Sequence, residues 1–170
     1  MADLKKLVSR ASSSSWYLWI LNIVLARMIP FNKPHGFKII SITPSVIRVS
    51  LPYKKKNLNH IKGIHACALA TVSEFTTGFL LISRLDAAKY RLIMQRLEMD
   101  YHYQGKMDAV AEFTLTDEWL TAHIIQPLIS QEAVVIQCTV VVKDIQGNAL
   151  TTGKVYWQIK DWQKVKTKVS

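Results

Sequence analysis

An α+β fold, in which an antiparallel sheet wraps around one long central helix, is predicted by two observations. From His65 to Leu85 the residues are small or apolar at nearly every position, with Leu69, Val72, Phe75, Phe79, Leu80 and Ile82 recurring at three- and four-residue steps. The flanking segments alternate with a period of two, as half-buried strands do: Ile47, Val49 and Leu51 against Arg48 and Ser50, then Leu97, Met99, Tyr101 and Tyr103 against Arg96, Glu98, Asp100 and His102. A helix apolar around most of its circumference must be buried, and a curved antiparallel sheet can wrap it. Such a sheet leaves one helix flank and two edges uncovered, which predicts a homo-oligomer, either a dimer or a dimer of dimers.

Taken in order, residues 1–15 are polar and end in four serines. The apolar run Trp16 to Ile29 follows, with Ser15 as N-cap, Pro30 as stop and Trp16 and Trp19 as anchors of a docked helix. Asn22 and Arg27 interrupt this run, which is also shorter than the roughly 20 apolar residues a bilayer span needs, so neither a signal peptide nor a membrane helix is expected. Contact with a membrane surface through this helix is a secondary possibility. Phe37–Ile42 and Val46–Tyr53 form a hairpin around Thr43-Pro44-Ser45, and a basic loop leads into the long helix. Beyond it come strands at 91–103, 109–115, 134–142 and 150–160, with a helix starting near Asp117 that Pro127 limits or ends. This divides the chain into a helical extension (1–34), one domain (35–160) and a basic tail (161–170) that includes Lys164, Lys166 and Lys168.

A formal net charge of +10 on 170 residues calls for an anionic partner or a solvated basic surface. A phosphorylated small molecule and an anionic membrane are the candidates. The basic runs carry no interleaved aromatic platform, so nucleic acid is not expected. Cys67 and Cys138 sit in helical and strand patterns without paired spacing, which points to a reducing, cytoplasmic setting. The histidines show no ligand spacing that survives Gly63 between His60 and His65, and no metal site is expected.

Between His65 and Arg84 the only fixed charge is Glu74. A carboxylate in so apolar a helix is either paired with an Arg or Lys from elsewhere or retained for chemistry. Asn59 precedes His65 by six positions and Glu74 follows it by nine. This pattern of an Asn, a His opening the buried helix and an acid within it resembles that of hotdog-fold acyl-CoA thioesterases of the phenylacetyl-CoA and 4-hydroxybenzoyl-CoA type, in a bacterial branch. The likeness extends over residues 35–160 through the order of elements. The family's Gly-Gly after the histidine is Ala66-Cys67 here, which crowds the helix start but keeps the Ala66 N–H.

The resemblance implies hydrolysis of an acyl-CoA thioester to free acid and CoA. The Ala66 N–H would serve as oxyanion donor, Glu74 as general base or nucleophile, Asn59 as holder of the water or carbonyl, and His65 as the residue orienting the helix start. Lys54, Lys55, Lys56 and Lys62, with Arg91 and Arg96, would meet the phosphates of coenzyme A, which enters as part of the substrate, with no separate cofactor. Cys67 would line the acyl pocket, and Thr77 would lie beside Glu74. His65 and Glu74 are about 13 Å apart along one helix axis at 1.5 Å per residue, so the site would be shared across a dimer. A non-catalytic acyl-CoA-binding or regulatory protein is the alternative, favoured by Ala66-Cys67; a hotdog dehydratase lacks its proline-bearing motif here.

Overall fold

The computed structural model describes residues 2–165. Lys166 and Lys168 of the expected basic tail lie outside the described residues. Six strands form one antiparallel sheet: β1 (Lys38–Ile42), β2 (Val46–Leu51), β3 (Tyr90–Tyr101), β4 (Ala109–Thr114), β5 (Ala133–Asp144) and β6 (Ala149–Asp161), in the spatial order β1-β2-β4-β5-β6-β3. The fold is the hotdog fold, with helix α3 (Ala66–Arg84) lying against β2 to β6. Register carries the alternation into space. Ile47 opposes Phe113, Val49 opposes Ala111 and Leu51 opposes Ala109, and all six are buried. Val134, Ile136, Cys138, Val140 and Val142 continue this face along β5.

Close backbone approach seats α3 on β6. A Cβ on Gly78 would stand 2.6 Å from an indole carbon of Trp157, and one on Gly153 would stand 3.3 Å from the Ser73 Cβ. The Trp157 Nε1–H donates to Thr77 Oγ1 at 3.0 Å, which satisfies an indole that would otherwise be buried without a partner. Most of the expected helix stripe is buried, but Ile82 is exposed and Leu81 takes the core position near the helix end.

The N-terminal extension contains two helices rather than the one expected: α1 (Ala2–Ala11) and α2 (Ser15–Met28). Leu4, Leu7 and Val8 pack toward the core from α1. The basic residues between them hide this short apolar stripe in the sequence. Trp16 and Trp19 are not anchors. They are 62% and 54% exposed and stack on each other, with ring centroids 4.9 Å apart. Leu21 and Leu25 dock α2 instead, and Asn22 determines its orientation. The Asn22 amide accepts from the Ile39 N–H at 2.8 Å and donates to the Ile39 carbonyl at 2.9 Å, pairing with edge strand β1 as a neighbouring strand would. The polar residue that breaks the apolar run thus covers one sheet edge.

The helical segment that opens with α4 (Asp117–Leu120) runs past Pro127 rather than ending at it. A π-helical turn at Thr121–Ile125 joins α4 to α5 (Pro127–Ser130), where proline takes the first position, at which no helical N–H bond is needed.

Candidate active site at the start of the buried helix

The loop between β2 and α3 is held by two asparagines with different tasks. Asn57 is 1% exposed; its amide nitrogen donates to the carbonyls of His35 and Pro52 at 2.9 and 2.8 Å, and its Oδ1 lies 3.0 Å from His35 Nδ1. The Asn57 carbonyl accepts from the His65 N–H at 2.7 Å, fixing the point where the helix begins. Asn59 organises the tip. Its Oδ1 accepts from the N–H groups of Ile61 and Gly63 at 3.1 and 2.9 Å, closing a turn in which Lys62 adopts a positive φ of 59°. The Tyr53 hydroxyl donates to the Lys62 carbonyl and secures that strained residue. The amide nitrogen of Asn59 has no partner among the described residues.

His65 is the N-cap of α3, its Nδ1 accepting from the Cys67 N–H at 3.0 Å. An accepting Nδ1 places the ring proton on Nε2. The first turn has four N–H groups without intrahelical partners. His65 takes the Cys67 N–H with its ring and the Ala68 N–H with its carbonyl, while the N–H of exposed Ala66 remains free. That free donor sits at the positive end of a 19-residue helix. The Tyr101 hydroxyl donates to the Ala66 carbonyl at 3.2 Å and leans over this turn from β3. Desolvation, then the neighbouring Cys67, raises the Tyr101 pKa.

Glu74 is half-buried on the flank of α3 that the sheet leaves open, in line with Cys67, Ala70 and Thr71. It has no hydrogen-bond or ion-pair partner among the described residues; the ion pairs there are Arg48–Glu112, Arg84–Asp117, Arg96–Glu98 and Lys160–Glu132. Desolvation raises its pKa. The alternative of a paired structural acid therefore does not hold within the described chain.

A family model described as Domain of unknown function (DUF4442) matches residues 18–159. The chain belongs to the DUF4442 family. Several solved structures resemble this DUF4442 chain. A Pseudomonas aeruginosa protein of unknown function, named a probable thioesterase, is 22% identical with a TM-score of 0.77, covering 84% of this chain and 95% of its own. A Haemophilus influenzae thioesterase is 8% identical with a TM-score of 0.67, covering 89% and 95%. A Staphylococcus aureus thioesterase carrying a point substitution is 12% identical with a TM-score of 0.63, covering 77% and 98%. At these identities the likeness establishes the fold. No curated protein matches the sequence.

Apart from Glu74 on the open flank, the expected site residues of this DUF4442 chain separate into three groups. Asn59, His65, Ala66 and Cys67 converge at the helix start, with exposed Lys62 at the loop tip. Lys54, Lys55 and Lys56 line a surface recess with Lys33 and Pro34. The third group is misplaced. Thr77 is fully buried and holds Trp157, so it faces away from solvent. Arg96 pairs with Tyr156 and Arg91 with Lys160, one register step from the residues that face α3, which puts both arginines on the outer face of the sheet. There Arg96 lies over the Tyr156 ring and ion-pairs with Glu98, and Arg91 donates to Gln158 at 3.2 Å. A one-residue change in parity reverses the face of a strand residue, and a bulge between Met94 and Arg96 resets that parity in β3. Tyr101 was readable only as one of several alternating residues; its parity with Leu97 and Met99 is the signal that it faces the helix.

Proposed function

We propose that this protein hydrolyses an acyl-CoA thioester to the free acid and coenzyme A, at a site shared by two copies of the chain. The observation that carries this reading is the pair of uncommitted groups on the open flank of α3: the Ala66 N–H at its start and the Glu74 carboxylate more than two turns along. One copy holds them about 12 Å apart by the helical rise, too far for one carbonyl carbon. A second copy facing the flank antiparallel brings its own acid to the helix start of the first. Edge strand β3 supports such pairing: it is 12 residues long, and Ile93 and Met94 are exposed on it.

The thioester carbonyl accepts from the Ala66 N–H, and the Asn59 amide nitrogen donates to the same oxygen or orients the water. Glu74 of the facing copy takes a proton from water as its oxygen bonds to the acyl carbon. The C–S bond breaks as the tetrahedral oxyanion collapses, and the departing thiolate takes up a proton. A raised carboxyl pKa brings the base closer to neutral operating pH. The recess of Lys54, Lys55 and Lys56, with Lys62, supplies charge for the nucleotide phosphates.

Thiol release from short, long and aromatic acyl-CoAs tests the reading. Turnover by the wild type should fall roughly 10²–10⁴-fold in Glu74→Gln with unchanged oligomeric state. Undiminished turnover in the variant would overturn the assignment of Glu74. Saturable acyl-CoA binding without turnover in either protein would favour the non-catalytic alternative, with Ala66-Cys67 as its cause.

A further inference from the structure

Between α2, β1 and α3 lies a cavity of about 300 Å³ that the chemistry above does not use. Ile23, Ala26, Ile29, Phe37 and Phe75 give it apolar walls, and Trp19 stands at one side. Its only charged lining residues are Lys33 and Lys38, both exposed. Asn22, a polar residue of the wall, has its amide committed to Ile39 and to the Leu18 carbonyl, so it offers little to a polar ligand. Lys33 also borders the recess formed by Lys54, Lys55 and Lys56. An apolar chamber thus adjoins a cationic recess through one shared lysine.

We propose that this cavity takes the hydrocarbon tail of the substrate, an acyl chain of medium length, while the lysines face its anionic end. At about 30 Å³ per methylene, the size of a water in the liquid, 300 Å³ accommodates roughly ten carbons. Phe75 follows Glu74 in the chain, so the cavity lies at the same level of the helix axis as the acid, about 100° around it. An acyl tail passing around α3 at that level reaches the cavity with its carbonyl end left on the open flank. The identity of the tail as part of a thioester rests on the proposed hydrolysis; the fit of a hydrocarbon chain beside lysines does not.

The test uses 11-bromoundecanoic acid, whose bromine quenches nearby tryptophan fluorescence, on the wild type and on Ala26→Leu and Ala26→Phe. Saturable quenching should weaken in that order, by at least about tenfold for the phenylalanine, since each methylene excluded from an apolar site costs about fourfold in affinity. The ratio of kcat/KM for dodecanoyl-CoA over butanoyl-CoA should fall in parallel. Lys33→Glu, at an exposed position, should weaken the acid's binding without filling the cavity, which guards against a misfolded Ala26 variant. Equal quenching in all the folded proteins would overturn the proposal, as would an unchanged chain-length ratio. If the wild type binds the brominated acid and Ala26→Phe does not, yet no acyl-CoA is turned over, the cavity stands and the hydrolysis falls. If acyl-CoA is turned over with a chain-length preference indifferent to Ala26, the hydrolysis stands and the cavity falls.

Discussion

The two faces of α3 are made from similar residues and treated in opposite ways. Toward the sheet, every side-chain hydroxyl in the central turns is bonded: Ser73 to the Leu69 carbonyl at 2.9 Å, Thr76 to the Val72 carbonyl at 2.6 Å, and Thr77 to the indole of Trp157 at 3.0 Å. Toward the open flank, the Ala66 N–H and the Glu74 carboxylate have no partner among the described residues. The first arrangement is what stability requires of buried polar atoms. The second sacrifices stability, because a desolvated carboxylate without a cation is unfavourable. One helix therefore separates the groups that hold the fold from those left available for a ligand.

That contrast can be broken most forcefully from the sheet side. Trp157→Ala removes the side chain against which Gly78 packs and the N–H that Thr77 Oγ1 accepts, although the Thr77 hydroxyl keeps its bonds to the Ser73 and Glu74 carbonyls. It should cost about 3–5 kcal/mol, read as a lower midpoint in urea unfolding at constant m-value. Next comes the close approach itself. Gly78→Val places a branched side chain where even a Cβ would meet the indole at 2.6 Å, and about 1–3 kcal/mol of overpacking cost is expected. Thr77→Val should cost on the order of 1 kcal/mol, through the orphaned Trp157 N–H. It should leave any acyl-CoA turnover of the folded protein largely intact, since Thr77 is buried behind the helix; a kcat loss without a stability loss would return Thr77 to the site.

The open flank should respond with the opposite sign. The Glu74 pKa is raised in the folded protein above its unfolded value. The neutral acid is thus the better tolerated form, and the folded state loses stability as pH rises through the raised pKa. Glu74→Gln removes that titration, so it should be more stable than the wild type at neutral pH, by roughly 0.5 kcal/mol or more. The advantage should vanish below the ordinary carboxylate range, and thermal melts at both pH values read the difference directly. If Glu74 acts as a base, the acidic limb of the activity profile should also lie above the range of about 4.3 usual for glutamate. The smallest effect is expected on the outer sheet face, where Arg96→Ala should change stability by less than about 1 kcal/mol and leave the KM for acyl-CoA unaltered.

Much of the fold could be read locally. Strand alternation at Ile47, Val49 and Leu51, and the three- and four-residue recurrence from Leu69 to Leu80, are short-range patterns that survived folding because burial acted on them in register. The isolation of Glu74 in its helix was equally visible, since it depends only on what surrounds one position in the chain. The errors came where a distant partner decides. Helix α1 is obscured by its lysines, Trp16 and Trp19 look like anchors by bulk, and the face of Arg91 depends on a bulge that no composition announces, whereas Arg96 keeps the face its alternation with Leu97 gives it.

The sequence by itself therefore determined the order of elements, the buried character of α3 and the single acid within it, because periodicity and composition are properties of neighbours along the chain. Tertiary structure alone decided which polar atoms remain unspent. Asn57 and Asn59 are the same residue type two positions apart, yet Asn57 is tied to His35 and Pro52 while Asn59 keeps its amide nitrogen free. Asn22 became a surrogate strand for β1. A hydrogen bond is settled by which groups meet across the fold, and that meeting is set by register, bulges and helix seating over distances the local pattern does not encode.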